Sequence, residues 1–227
     1  MSSYVLMKIL ESSPERYDRG IRMLNGARVG AVYEAIANIA ARPGAHVLDI
    51  GCGTGNVSIA CAQRGADVTG IDINAGMLEV ARSKPPPPVG SVEFLQAAAA
   101  EIEDHFAPGT FDSVVSCLAL SEMSPEERAY TLRAAHRVLR PDGLLVIADE
   151  VQPAGRFRRL AHRLARFPSV MVTWLLTQTT TRAIPDPTGM VGTAGYQQVE
   201  IAQHFGRTLM MVSARRSPGP GPGGNHA

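Results

Sequence analysis

Two aspartates and a run of glycines carry the first chemical signal. Asp49 lies near the end of the short apolar run Ala45-His46-Val47-Leu48-Asp49-Ile50, and Gly51-Cys52-Gly53-Thr54-Gly55-Asn56 follows at once. Glycines let a ligand come against the backbone where side chains would block it. A helix opening at Asn56 offers N–H groups with no partner of their own. In an open parallel sheet, such a turn lies at the carboxyl ends of the strands, where ligands bind. The spacing is G-x-G-x-G, so Asn56 stands where the dinucleotide fingerprint G-x-G-x-x-G has its last glycine. An acid beside the turn repels a pyrophosphate and attracts a cation. Asp72, ending a second apolar run, can accept both hydrogen bonds of a ribose diol. The ligand that fits has a ribose, no phosphate and a cationic end, which describes S-adenosylmethionine.

The elements that must position these groups follow from the pattern. Ser12-Ser13-Pro14-Glu15 reads as a helix start, and Val29, Val32, Tyr33, Ile36 and Ala40 share one helical face before Arg42-Pro43-Gly44. Strands are predicted at 45–50, 67–73, 92–96, 111–118 and 144–148, with helices at 56–64, 75–83 and 124–140 between them. Ser124-Pro125-Glu126-Glu127 is a capping box. Strands alternating with helices imply right-handed crossovers and a doubly wound, mostly parallel α/β sheet. Residues 152–196 break the rhythm as an inserted helical lid, and 197–203 with 208–213 form a closing antiparallel pair. The domain reading is therefore a helical cap (1–42), a core (43–151), the lid (152–196), closing strands (197–216) and a Pro/Gly-rich disordered tail (217–227).

Four segments resemble the class I S-adenosylmethionine-dependent methyltransferases. They are Val47 to Asn56, Gly70 to Leu78, Phe111-Asp112-Ser113-Val114-Val115-Ser116, and Arg137-Val138-Leu139-Arg140-Pro141-Asp142-Gly143. The resemblance implies a seven-stranded Rossmann-like sheet with S-adenosyl-L-methionine as cofactor. It implies that Asp49 orients the methionine amine and that Gly51, Cys52, Gly53, Gly55 and Asn56 lie against methionine and ribose. Asp72 would take the ribose diol, and Ile73 and Met77 would pack the adenine. The family's acid after the third strand is replaced by Ala97-Ala98-Ala99-Ala100, so that contact falls to a backbone group or Glu101. More narrowly, Leu10 to Asp18, Ile147 to Val151 and Thr177 to Thr181 look like the corrinoid-protein-associated methyltransferases. An enzyme acting on a small-molecule nucleophile is expected. The rival is a regulator or corrinoid-protein partner that binds the cofactor without methyl transfer.

Further candidates surround the expected methyl position. Tyr17 sits on the preceding helix, either as an active-site cover or as an aromatic staple. Ser121 and Glu122 follow the fourth strand, and Asp149 and Glu150 the fifth. Glu122, Asp149 and Glu150 are read as proton acceptors or cation holders and Ser121 as a substrate contact, against loop acids and helix caps. In the lid, Trp174, Gln178 and Thr179 are read as substrate contacts, Gln178 to Thr181 being neutral polar groups in an apolar region. Cys52 and Cys61 suit packing, while Cys117 is nearer the cofactor. The basic helix Arg156–Arg166 either docks an acidic protein or lipid surface or is a solvated face. A formal net charge of +1 excludes a global nucleic-acid field. Three cysteines without paired spacing, and six scattered histidines, indicate no disulfide framework and no metal. No apolar run reaches membrane-spanning length, and no signal sequence is evident, so a cytoplasmic protein is expected.

Overall fold

The computed structural model describes residues 27–152, 183–205 and 209–217. The chain runs α1 (Ala27–Ala40), β1 (His46–Ile50), α2 (Asn56–Ala62), β2 (Asp67–Asp72), α3 (Ala75–Ser83) and β3 (Ser91–Gln96). A 3-10 turn over Ala99–Glu101 leads into α4 (Ile102–His105), then β4 (Phe111–Cys117), a second 3-10 turn over Leu120–Glu122, α5 (Pro125–Val138) and β5 (Leu139–Glu150). From residue 183 onward come α6 (Pro187–Thr193), β6 (Tyr196–Phe205) and β7 (Leu209–Arg216). No helix of the described residues is long and apolar enough to cross a membrane.

The sheet has seven strands in the order β3-β2-β1-β4-β5-β7-β6. β1 to β5 pair in parallel, whereas β7 is antiparallel to both β5 and β6. The chain winds outward from β1 to β3, then returns to lay β4 on the other side of β1. That reversal splits the crossovers to opposite faces and opens a crevice beyond the carboxyl ends of β1 and β4.

Successive residues of β1 face opposite layers, so both faces must be apolar. Val47, with Val115 and Val146, packs against Val32 and Ile36 of α1 and Val57 and Cys61 of α2. Leu48 and Ile50, with Val114, Leu145 and Ile147, pack against Leu132, Ala135 and Val138 of α5. Each fully buried Val, Leu or Ile contributes roughly 1.5–3 kcal/mol. The helix starts follow their side chains. Asn74 accepts from Gly76 and Met77 N–H to cap α3, and Ser124 and Glu127 exchange bonds with each other's backbone to cap α5.

Three departures from expectation have local causes. β5 begins at Leu139, not 144, because its register against β4 shifts between Phe111↔Leu139 and Ser113↔Leu144. Pro141-Asp142-Gly143 is thus a bulge within the strand, with Asp142 at φ 60°. β4 stops at Cys117 because Leu118 turns to φ 58°. α2 ends at Ala62, two residues early, with Gln63 as its C-cap.

Candidate active site

A cavity of about 660 Å³ opens at the carboxyl ends of β1, β2 and β4. Its floor is the glycine turn. Gly51, Gly53 and Gly55 all have left-handed backbone, at φ 69°, 53° and 76°. Gly51 and Cys52 N–H both donate to Ile71 O, at 2.9 and 3.0 Å, which folds the turn back onto β2. The three glycines answer different neighbours. A Cβ on Gly51 would collide with the Cβ of Ala119. A Cβ on Gly55 would stand 2.5 Å from Phe94 Cζ and 3.2 Å from Ala81 Cβ. Only Gly53 has nothing within 4 Å of that position, and it lines the cavity. Gly55 is outside that lining, and its lack of a side chain lets the turn pack on Phe94 of β3.

Asp72 latches the turn to α3. Its Oδ2 accepts from Gly53 N–H and its Oδ1 from Asn74 N–H, both at 2.8 Å. Each oxygen keeps a second lone pair for a hydroxyl in the cavity. Beside it, Ile73 is 72% exposed although apolar, and Met77 is buried at the cavity wall. An exposed isoleucine next to a buried methionine offers a flat apolar ligand something to cover. Asn56 also lines the cavity. It donates to Thr54 Oγ1 at 3.1 Å and accepts from Lys84 Nζ at 2.8 Å.

Asp49 is 1% exposed and lines the cavity from β1. Burial pushes its carboxyl from an ordinary 3.8 up to about 7, with Asp72 adding repulsion and a hydrogen bond from Ser58 opposing both. Asp49, Asp72, Glu122, Glu126 and Glu127 line the cavity, and among its described lining residues there is no Lys or Arg. The field inside favours a cation and disfavours a phosphate. Cys52 and Cys117 line it too, and burial raises both thiols so far that they remain protonated and apolar in behaviour. Among the described residues, no group of three or more His, Cys, Asp or Glu is placed to hold a metal.

The other acids predicted here divide. Glu122 lines the cavity. Ser121 and Asp149 do not, since both are buried and bonded to each other. Asp149 Oδ2 accepts from Ser121 N–H at 3.0 Å, and its Oδ1 from Glu150 N–H at 2.7 Å. Asp149 therefore ties the β4–α5 loop to β5, and burial raises its carboxyl to about 6. Glu150 is half-buried at the end of β5, away from the cavity lining. Glu101 also misses the cavity. Its Oε2 accepts from Ala98 N–H at 2.7 Å and caps its own 3-10 turn, while Ala97 to Ala100 form the wall. Tyr17, Trp174, Gln178, Thr179 and the Arg156–Arg166 helix lie outside the described residues.

Sequence reasoning missed much of the remaining wall. Tyr33 was legible only as part of the apolar face of α1, yet it lines the cavity. Leu118, Met123, Tyr130 and Thr131 also reach it. Tyr130 and Thr131 follow the capping box within α5, so helical phase relative to Glu126 and Glu127 was the available signal.

Comparison with known proteins agrees with this geometry. Residues 47–143 match a family model described as a methyltransferase domain. A Pseudomonas aeruginosa ubiquinone biosynthesis O-methyltransferase is 43% identical over 105 residues, 46% of this chain and 44% of that one, so the match spans less than half of that relative's length. A Synechocystis methyltransferase of uncharacterised specificity is 30% identical over 183 residues, covering 79% of this chain and 80% of its own. The fold matches an S-adenosylmethionine-dependent methyltransferase structure from Methanosarcina mazei at 22% identity and TM-score 0.62, over 80% of this chain and 97% of the other. With the long Synechocystis match, the glycine turn and the strand order, the chain belongs to the class I S-adenosylmethionine-dependent methyltransferases.

Proposed function

We propose that this protein transfers the methyl group of S-adenosylmethionine to a nucleophile on a small molecule. The observation that carries the reading is the pair Asp49 and Asp72 on either side of an open Gly53 in a cavity without cationic lining residues. Asp49 holds the ligand's amine, Asp72 accepts its ribose hydroxyls, and Ile73 and Met77 cover its adenine. The Ala97–Ala100 backbone closes the adenine end, in place of the acid that the family usually has there. A cavity of about 660 Å³ falls within the usual range of small-molecule sites, which is roughly 300–1,000 Å³.

The cofactor supplies an already activated sulfonium methyl, so alignment and exclusion of water are the main work left to the protein. Strands β1 and β2 face the cofactor. The acceptor therefore enters beside β4 and α5, past Glu122, Met123, Tyr130 and Thr131. Of the carboxylates that line the cavity from this side, Glu122, Glu126 and Glu127, we assign to Glu122 the acceptor's proton. Asp149 acts behind this wall by fixing the loop that carries Glu122. The acceptor's further contacts are assigned to Trp174, Gln178 and Thr179, which lie outside the described residues. The ubiquinone relative acts at oxygen on a small molecule, which supports that acceptor class for this chain.

Calorimetry with S-adenosylhomocysteine and with NAD tests the cofactor assignment. Binding of the first and not the second is expected, and micromolar NAD binding without S-adenosylhomocysteine overturns it. Incubation with methyl-labelled S-adenosylmethionine and a panel of small phenols and amines tests the reaction. Label appearing in added protein or RNA, and in none of the small molecules, overturns the acceptor class.

A further inference from the structure

Asp49 does not stand alone at the end of β1. Ser58, in the first turn of α2 and wholly buried, donates its hydroxyl to Asp49 Oδ2 at 2.6 Å. Asp49 lines the cavity and Ser58 does not. Room for the hydroxyl comes from a third element. Gly70 of β2 is the register partner of Asp49, and a Cβ there would stand 3.0 Å from both Ser58 Oγ and Cys52 Sγ. It would also press Phe94 at 2.9 Å. Strand, helix and a missing side chain thus converge on one carboxylate oxygen. A serine early in a helix ordinarily bonds to nearby backbone groups, whereas here its proton goes to a buried acid across the β1–α2 unit.

We propose that Ser58 is a positioning residue for amine recognition: its hydroxyl holds Asp49 by Oδ2 and leaves Oδ1 to the cationic end of the ligand in the cavity. The inference rests on the methyl-donor reading given above. Its electrostatic side is set by everything packed around Asp49. Burial favours the protonated acid, and the charge of Asp72 on β2 adds to that. The thiols of Cys52 in the turn, Cys61 on α2 and Cys117 on β4 are all raised by burial and stay uncharged, Cys61 at about 12. Tyr33 of α1 also stands at the cavity wall. The Ser58 hydroxyl is the largest influence that opposes burial, with a smaller one from the Ser58 backbone N–H that Ser58→Ala would keep. Without the hydroxyl, Asp49 keeps its proton to higher pH and offers a cation less.

The test is calorimetry of the full chain with S-adenosylhomocysteine between pH 5.5 and 8.5. Wild-type affinity is expected to fall as pH drops through about 7, approaching tenfold per pH unit. In Ser58→Ala the fall begins at higher pH, so the loss is several-fold near pH 7 and shrinks toward pH 8.5. Ser58→Thr, which keeps the hydroxyl, restores the wild-type profile, and Asp49→Asn flattens it. A purely structural role for Ser58 predicts the same loss at every pH, so a uniform loss, or none, overturns the proposal. Should Ser58→Ala not fold, Ser58→Cys supplies a weaker donor, and a profile coincident with wild type overturns it equally. Wild-type protein that binds no S-adenosylhomocysteine at any pH refutes the cofactor reading itself. Wild-type binding with an unmoved Ser58→Ala profile refutes only the role of Ser58.

Discussion

Replacing Asp49 by Asn should stabilise the empty protein while abolishing most of its affinity for the cofactor. Asp49 is 1% exposed, and burial raises its carboxyl from an ordinary 3.8 to about 7. A raised carboxyl means that the unfolded chain releases the proton first. Stability is therefore full below about pH 4, falls as pH rises toward 7, and is flat above. Relative to the unfolded chain, the raised carboxyl costs the fold on the order of 4 kcal/mol at pH 8 and on the order of 1–2 kcal/mol at pH 5. Asparagine removes this penalty and still offers an oxygen to Ser58. Its amide must also lose water, so a net gain of about 2–4 kcal/mol at pH 8 is expected. For a chain of this length that is roughly 5–12 °C in Tm. Asp149, also raised by burial, is present in both proteins and cancels from the difference. Thermal unfolding at pH 5 and 8, with and without saturating S-adenosylhomocysteine, reads all of this. The variant should gain more at pH 8 than at pH 5 and should lose the ligand-induced rise. An unliganded variant that melts at or below wild type at pH 8 would refute the account of Asp49 as a strained buried acid held for function.

Three further substitutions separate binding from folding. Ile73→Ser should weaken S-adenosylhomocysteine binding by about 1–2 kcal/mol through lost apolar cover, with Tm unchanged because the side chain is 72% exposed; a fall in Tm with intact affinity reverses the assignment. Asp72→Ala should cost about 1.5–3 kcal/mol of binding, the usual worth of hydrogen bonds to a charged group, and it also releases Gly53 and Asn74 N–H. An unchanged dissociation constant removes Asp72 from the ribose site. Gly55→Ala should destabilise by about 2–4 kcal/mol, combining left-handed strain with overpacking. Adding Phe94→Leu, which deletes the Cζ atom 2.5 Å from the new methyl, should recover part of the loss in a denaturant titration. No recovery would mean that strain alone limits the site.

What the sequence disclosed, and what it hid, follows one physical division. The glycine turn, Asp49 and Asp72 were legible because their roles are set by backbone within a few residues. A buried strand, a left-handed turn and a second strand end bring these groups together in any open α/β sheet. The caps at Asn74 and Ser124 were equally local. The acids after β3 and β5 obey a longer-range condition. Glu101, Asp149 and Glu150 lie near carboxyl ends of strands, as a functional acid should. An acid there also stands beside turns with unpaired backbone N–H groups. Ala98 N–H captures Glu101, and Ser121 and Glu150 N–H capture Asp149. Which demand wins depends on the path of the neighbouring loop. For Asp149 that path is decided at Leu118, whose φ of 58° swings the β4–α5 loop back over β5, and a leucine gives no signal of such a turn. The same loop sets Ala119 against Gly51. Thus one non-glycine residue in the left-handed region makes Gly51 sterically necessary, turns Asp149 toward backbone N–H groups and leaves Glu122 at the cavity wall.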